Sequence, residues 1–194
     1  MRIKRPQSNQ PIPKNAKCVF RGILFEVWQW QQKMFDGSVK TFEKLKRPDT
    51  VVVVPITKKG KIIIIKEKQP RKKPILTLPG GRIDNDEHPL KAAQRELLEE
   101  TGYKAKKWQI FEAFQPVSKI DWVIYIFIAR GCEQVQDPTP DEGEKISIKI
   151  LDFDKFFDMV VRNKIRADSL HLHFLQAKID KKYMNKIKKN ILGL

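Results

Sequence analysis

Residues 80 to 103 constrain this chain more than any other stretch, because a glycine pair, an acidic run and a helix stop follow one another closely. Gly80 and Gly81 make a tight turn, and a polar loop leads to Pro89, whose missing N–H does no harm in the first turn of a helix. Gly102 ends that helix. Leu90, Ala93 and Leu97 fall three and four residues apart, so they share an apolar face turned to a core. Glu96 and Glu100 lie one turn apart with Glu99 beside them, and like charges at this spacing repel. Crowded, partly buried carboxylates either hold their protons to unusually high pH or bind a cation. Oxygen ligands, no cysteine nearby and a backbone carbonyl from Gly80 favour Mg²⁺ or Mn²⁺ over zinc. Such ions usually act on phosphates. A solvated acidic helix face is the bland alternative, and it accounts for neither the glycine turn nor Glu87 and Arg95.

The same residues resemble the Nudix box, G-x5-E-x7-R-E-U-x-E-E-x-G-U with U a bulky aliphatic. The matching positions are Gly81, Glu87, Arg95, Glu96, Leu97, Glu99, Glu100 and Gly102; Tyr103 replaces the final aliphatic, at a packing position. The resemblance implies an α/β fold, a Nudix-type α/β/α sandwich with a mixed sheet. It also implies metal-dependent hydrolysis of a diphosphate joining a nucleoside to another group X. By the same resemblance Glu96 and Glu100 are the main metal ligands, assisted by Glu99 and the Gly80 carbonyl. Glu87 and Arg95 serve as structural partners, Arg95 gripping glutamates with its forked donors; Gly81 and Gly102 shape the backbone.

A length of 194 residues suits one domain with a good core. No apolar run approaches the length of a membrane span, and the N-terminus lacks the apolar centre of a secretory signal, so a cytoplasmic location is expected. Cys18 and Cys132 are too few and too far apart for a disulfide framework. The formal net charge of +16 invites a nucleic-acid hypothesis. The basic residues are nonetheless scattered, with no aromatic-interleaved RNA-reading pattern, and steering of a polyanionic substrate is a further use for them.

In chain order, residues 1–17 read as an irregular, partly mobile basic lead-in. Residues 18–48 read as an N-terminal β-hairpin, with Cys18 to Gln32 and Val39 to Lys46 as its two strands about an Asp36-Gly37 turn. Residues 49–194 form the remaining domain. Val51 to Ile56 is a strand buried on both faces, Ile62 to Lys66 its partner, and Ile75 to Leu78 a short strand. Ala105 to Phe114, Trp122 to Ala129 and Ile146 to Ile150 are further strands. Gln134 to Lys145 is a loop able to hang over a cleft. Asp152 to Arg162 is a helix, and Asp168 to about Ile191 runs at helical period.

The hairpin, the run from Asp49 to Pro55 and the segment from Ile165 to Ser169 resemble the ADP-ribose (ADP-sugar) pyrophosphatase branch of Nudix hydrolases. That branch implies ADP-ribose or an ADP-sugar as substrate and a homodimer; another nucleotide (a dinucleotide, NADH, a damaged triphosphate) is the alternative, as is a basic RNA- or nucleotide-binding module. Pro116 is a candidate for the branch's substrate-marking proline, although Val117, Ser118 and Lys119 depart from the residues usual after it. The general base is implied to come from a loop glutamate, Glu142 or Glu144. Adenine stacking is implied for a hairpin aromatic, with Phe25, Trp28, Trp30 and Phe42 as candidates against ordinary packing. Arg71 and Arg82 flank the glycine turn and are candidate phosphate contacts. His88, His171 and His173 show no metal spacing and read as surface or cap residues.

Overall fold

The computed structural model describes residues 3–194; of the expected lead-in, positions 1 and 2 lie outside the described residues. The rest of the lead-in is irregular as expected but tied down rather than mobile. The Lys44 ammonium, almost wholly buried, donates to Ser8 Oγ at 2.6 Å and to the Gln10 carbonyl at 2.7 Å. Arg5 pairs with Asp49 at 2.7 Å and Asp121 at 3.0 Å.

The expected hairpin is instead a three-stranded meander: β1 (Lys17–Arg21), β2 (Glu26–Lys33) and β3 (Val39–Lys46). The run from Cys18 to Gln32 is broken because Gly22 N–H closes a turn on the Phe25 carbonyl at 2.8 Å. The second turn is as read: Met34 N–H bonds the Ser38 carbonyl at 2.8 Å, Asp36 accepts from Ser38 N–H, and Gly37 takes φ 84°.

Beyond Pro48 come β4 (Thr50–Thr57), β5 (Ile62–Lys68), β6 (Ile75–Thr77), α1 (Pro89–Thr101), β7 (Tyr103–Lys104) and β8 (Lys107–Phe114). Then follow β9 (Ile120–Asp121), β10 (Ile124–Gln134), β11 (Lys145–Leu151), α2 (Phe153–Val161), α3 (Asp168–Ile179) and α4 (Lys181–Leu192). The short β9 joins the meander beside β3, and the other strands make one mixed sheet in the order β11-β5-β4-β10-β7, with β6 on β5 and β8 on β10. β4 and β10 run parallel at its centre, as a crossover through α1 allows. Their apolar runs are continuous because helices cover both faces.

Period-two alternation divides those runs between two cores. Val51, Val53, Ile63, Tyr125, Phe127 and Ala129 face Ala92, Ala93 and Leu97 of α1. Val54, Ile56, Ile62, Ile64, Ile126 and Ile128 face Phe156, Val160, Leu170, Phe174, Ile187 and Ile191 of the C-terminal helices. Each fully buried isoleucine of β5 contributes about 1.5–3 kcal/mol. The layers are those of the expected α/β/α sandwich. Boundaries differ from the sequence reading: Trp122 precedes β10 rather than lying in it, β10 runs on past Ala129 to Gln134, and the C-terminal period splits at Asp180, whose carboxylate caps α4 by accepting from Lys182 and Tyr183 N–H. Among the described residues, no helix is long and apolar enough to cross a membrane.

Candidate active site at the glycine turn and helix α1

Residues 79 to 83 lie antiparallel to the start of β4, with Val53 N–H bonded to the Pro79 carbonyl at 2.8 Å and Val51 N–H to the Gly81 carbonyl at 2.9 Å. The intervening Gly80 therefore presents its backbone to the opposite side, toward α1, where its N–H donates to Glu100 Oε2 at 2.8 Å. A Cβ on Gly80 would strike the Val51 carbonyl, and one on Gly81 would strike the Glu96 carboxylate. Glycine is thus required at position 80, where the clash is with backbone and φ is 153°, while a side chain at position 81 would displace the Glu96 carboxylate. Helix α1 starts at Pro89 with the His88 ring accepting from Leu90 N–H at 3.2 Å, and Gly102 N–H closes it on the Leu98 carbonyl at 2.7 Å.

Arg95 organises the acidic face. It donates to Glu87 at 3.1 and 3.0 Å, to Glu96 at 2.9 Å, to Glu99 at 3.2 Å and to the Arg82 carbonyl at 2.9 Å. Its hydrogen bond to Glu87 holds the guanidinium above its ordinary range and the Glu87 carboxyl below the usual one. Glu100 is only 8% exposed. Burial pushes its carboxyl up to about 9; the Gly80 N–H opposes this, and the nearby charges of Glu96, Glu144 and Glu67 add to it. Burial likewise pushes Glu96 up to about 7 against the pull of Arg95, with Glu99 and Asp141 contributing.

Carboxylates desolvated beside other carboxylates, with Arg95 as their one cationic partner named above, form a set whose charge is only partly compensated, and a hard divalent cation is what such oxygen donors suit. Glu96, Glu99, Glu100 and the backbone of Gly80 are brought to one side of the turn, so the donor set fits. Among the described residues, no three His, Cys, Asp or Glu side chains are already gathered about one point; Glu96 and Glu99 are both turned to Arg95, while Glu100 accepts from Gly80 N–H.

The acidic loop between β10 and β11 reaches this place because Thr139 N–H bonds the Glu99 carbonyl at 2.7 Å and Val135 N–H bonds the Gly102 carbonyl at 2.9 Å. It separates the two loop glutamates. Glu144 accepts from Gln69 Nε2 at 2.9 Å, and the same nitrogen donates to Glu67 at 2.6 Å. Glu142 is exposed and does not figure among the charges acting on Glu100.

Two cavities meet at Arg47. The smaller, about 370 Å³, contains Glu100, Gly80 and Gly81 together with Glu67, Trp122 and Arg166. The larger, about 690 Å³, lies between the Gly22–Leu24 turn and the Ile83–Asp86 loop and contains no box glutamate. The buried carboxylate of Glu100 lies in the smaller one.

Several aromatic and arginine candidates fall elsewhere. Trp30 is buried against Phe42, with ring centroids 6.0 Å apart, and Trp28 bonds Glu26 at 2.8 Å. Phe42 lines a separate cavity with Lys119, and Pro116 is exposed. None of these four reaches either cavity at Arg47. Phe25 approaches through Arg47, whose guanidinium carbon lies 5.8 Å from its ring. Arg71 lines a surface pocket with Gln69 and Glu144, and Arg82 supplies its carbonyl to Arg95. Sequence reasoning missed Glu67, Trp122 and Arg166. Glu67 carried a signal, since it shares strand parity with the buried Ile63 and Ile65, and Arg166 lies in the segment from Ile165 to Ser169 already singled out; Trp122 carried none.

With this geometry in view, likeness to known proteins defines the class. The NUDIX domain family profile matches residues 46–174. An ADP-ribose pyrophosphatase of Bacillus subtilis strain 168 is 27% identical over 165 residues, covering 82% of this chain and 89% of that protein. A methanol dehydrogenase activator of Bacillus methanolicus is 27% identical over 151 residues, covering 76% of this chain and 81% of that protein. A crystal structure of an ADP compounds hydrolase superposes with a TM-score of 0.68 at 21% identity, covering 91% of this chain and 98% of that one, a likeness of fold. The chain belongs to the Nudix hydrolase family. Hydrolases of this family generally depend on a divalent metal ion.

Proposed function

We propose that this Nudix hydrolase cleaves the diphosphate of ADP-ribose or a related ADP-sugar to AMP and a sugar phosphate, with Mg²⁺ or Mn²⁺ as its ion. The observation that carries the reading is the desolvated pair Glu96 and Glu100 beside the glycine turn, with Glu100 and Gly80 lining a cavity that also holds Arg47 and Arg166. The pyrophosphatase likeness over most of the chain supports the substrate.

Glu96, Glu99, Glu100 and the Gly80 carbonyl are the proposed ligands. When bound, the ion supplies charge neutralisation on the diphosphate and makes a nearby water more acidic. Arg95 orients Glu96 and Glu99 from behind. Glu144 is the proposed general base: it accepts a proton as water oxygen attacks phosphorus in line, and the P–O bond to the leaving phosphate breaks. Its place beside Gln69 and near Glu100 supports it over Glu142.

A homodimer is part of the proposal. β1 is an edge strand of the meander sheet, and Val19, Phe20 and Ile23 are exposed there, the kind of edge that pairs with a second copy. The free thiols of Cys18 and Cys132 support a reducing, cytoplasmic setting. The test is release of the nucleoside monophosphate from ADP-ribose, ADP-glucose, diadenosine diphosphate, NADH and a damaged nucleoside triphosphate, with and without Mg²⁺. Preference for the ADP-sugars, dependent on the ion and lost in Glu100→Gln, is expected. Turnover of none of these substrates alongside metal-independent retention of RNA would sink the reading.

A further inference from the structure

The smaller cavity has two unlike walls. One is carbon: Trp122 stands beside Val52 and Ile124. The indole is fixed in place, since its N–H is spent on Thr50 Oγ1 at 3.1 Å and the Arg47 guanidinium carbon lies 4.4 Å from its centroid. What the ring offers the cavity is therefore apolar aromatic surface and no donor.

The other wall is polar and of both signs. Glu67 and Asp168 bring acceptors and Arg166 brings donors. Arg166 lies 3.7 Å from Glu67, too far for a direct hydrogen bond, and its side chain is 59% exposed. Glu67 keeps acceptor capacity beyond its bond from Gln69. An aromatic wall facing a mixed set of donors and acceptors suits a molecule with one C–H face and several hydroxyls. A volume of about 370 Å³ equals about a dozen waters at roughly 30 Å³ each, which admits a pentose and crowds a second nucleoside.

We infer that Trp122 is the specificity-determining residue for the group X: a sugar ring lays its C–H face on the indole while its hydroxyls meet Glu67, Asp168 and Arg166. This rests on the ADP-sugar reading above and names the side of the site that recognises the sugar.

The test compares wild type, Trp122→Leu and Trp122→Phe, each checked by thermal melting, on ADP-ribose and on ADP β-methyl ester, whose X carries no ring. Trp122→Leu should raise KM for ADP-ribose about fivefold to tenfold with kcat within about threefold, and so lower kcat/KM for ADP-ribose relative to the methyl ester by about the same factor. Trp122→Phe, which keeps an aromatic face, should recover most of the loss. Damage passed through Arg47 or through the fold would strike both substrates alike. A shift below about twofold in the ratio of the two kcat/KM values therefore overturns the inference while ADP-ribose hydrolysis by the wild type stands. A wild-type chain that cleaves no ADP-sugar overturns the underlying reading and this inference with it.

Discussion

The glycine turn with helix α1 and the N-terminal meander are both rich in residues of functional type, yet only in the first does spacing along the sequence carry over directly into spacing in the fold. In α1 a helix turns sequence spacing into spatial spacing: Glu96 and Glu100 must be neighbours, and Arg95 must reach Glu99 one turn on. In the meander, Trp28, Trp30 and Phe42 sit on strands, where facing alternates and the value of a face depends on what packs against it. Trp30 opposes Phe42 across the β2–β3 pair and is consumed in packing. Local geometry therefore made the acidic face legible, whereas the surroundings of the aromatics came from tertiary packing.

The largest effect that would break this comparison lies in α1. Glu100→Gln is expected to lower kcat about 10³-fold, since a lost ligand forfeits several kcal/mol of charge stabilisation. The fold should survive because a carboxylate without its charge suits its buried place better, and a circular dichroism spectrum alongside the kinetics checks both halves. Equal activity in this variant would remove the basis of the whole site.

Next comes Arg95→Ala, expected to cost about 10–100-fold in activity or ion affinity by freeing Glu87, Glu96 and Glu99 from their common partner. Titration with Mg²⁺ separates the two, and an unaltered titration curve would show the fork to be incidental.

In the meander the expectation reverses. Trp30→Ala should reduce stability by about 3 kcal/mol, as loss of a buried aromatic does, while kcat/KM for ADP-ribose stays within about threefold. A selective rise in KM without loss of stability would return Trp30 to the binding site.

The mildest test is pH. Glu96 and Glu100 hold protons in the folded chain up to about 7 and about 9, whereas both start from 4.5 in the absence of structure. Between pH about 5 and 9 the folded state thus binds more protons than the unfolded one, and stability must fall as pH rises. The melting temperature in EDTA should decline across this window, and Mg²⁺ should flatten the slope. A flat profile in EDTA would mean the two carboxylates are better solvated than their burial implies.

Other elements divide along the same line. The Asp36-Gly37 turn and the apolar runs of β4 and β5 were readable, because turn chemistry and strand burial leave a local mark. The break at Gly22 was not, since a single glycine in a β-prone stretch looks like any tolerated one until its N–H is seen to close on Phe25. Glu142 and Glu144 were indistinguishable as residues two apart in an acidic loop. They separated only when Gln69, far away in sequence, took Glu144 as its acceptor.

By itself, the amino-acid sequence determined the acidic helix, its glycine bend and the buried strands, since each depends on interactions spanning a few residues. Tertiary structure alone decided which groups stand opposite that helix: Trp122, Arg166 and Glu67 come from the entries to β10 and α3 and from the far end of β5. Their convergence follows from the parallel pairing of β4 with β10 and from the docking of the C-terminal helices, contacts between distant segments that no local pattern encodes.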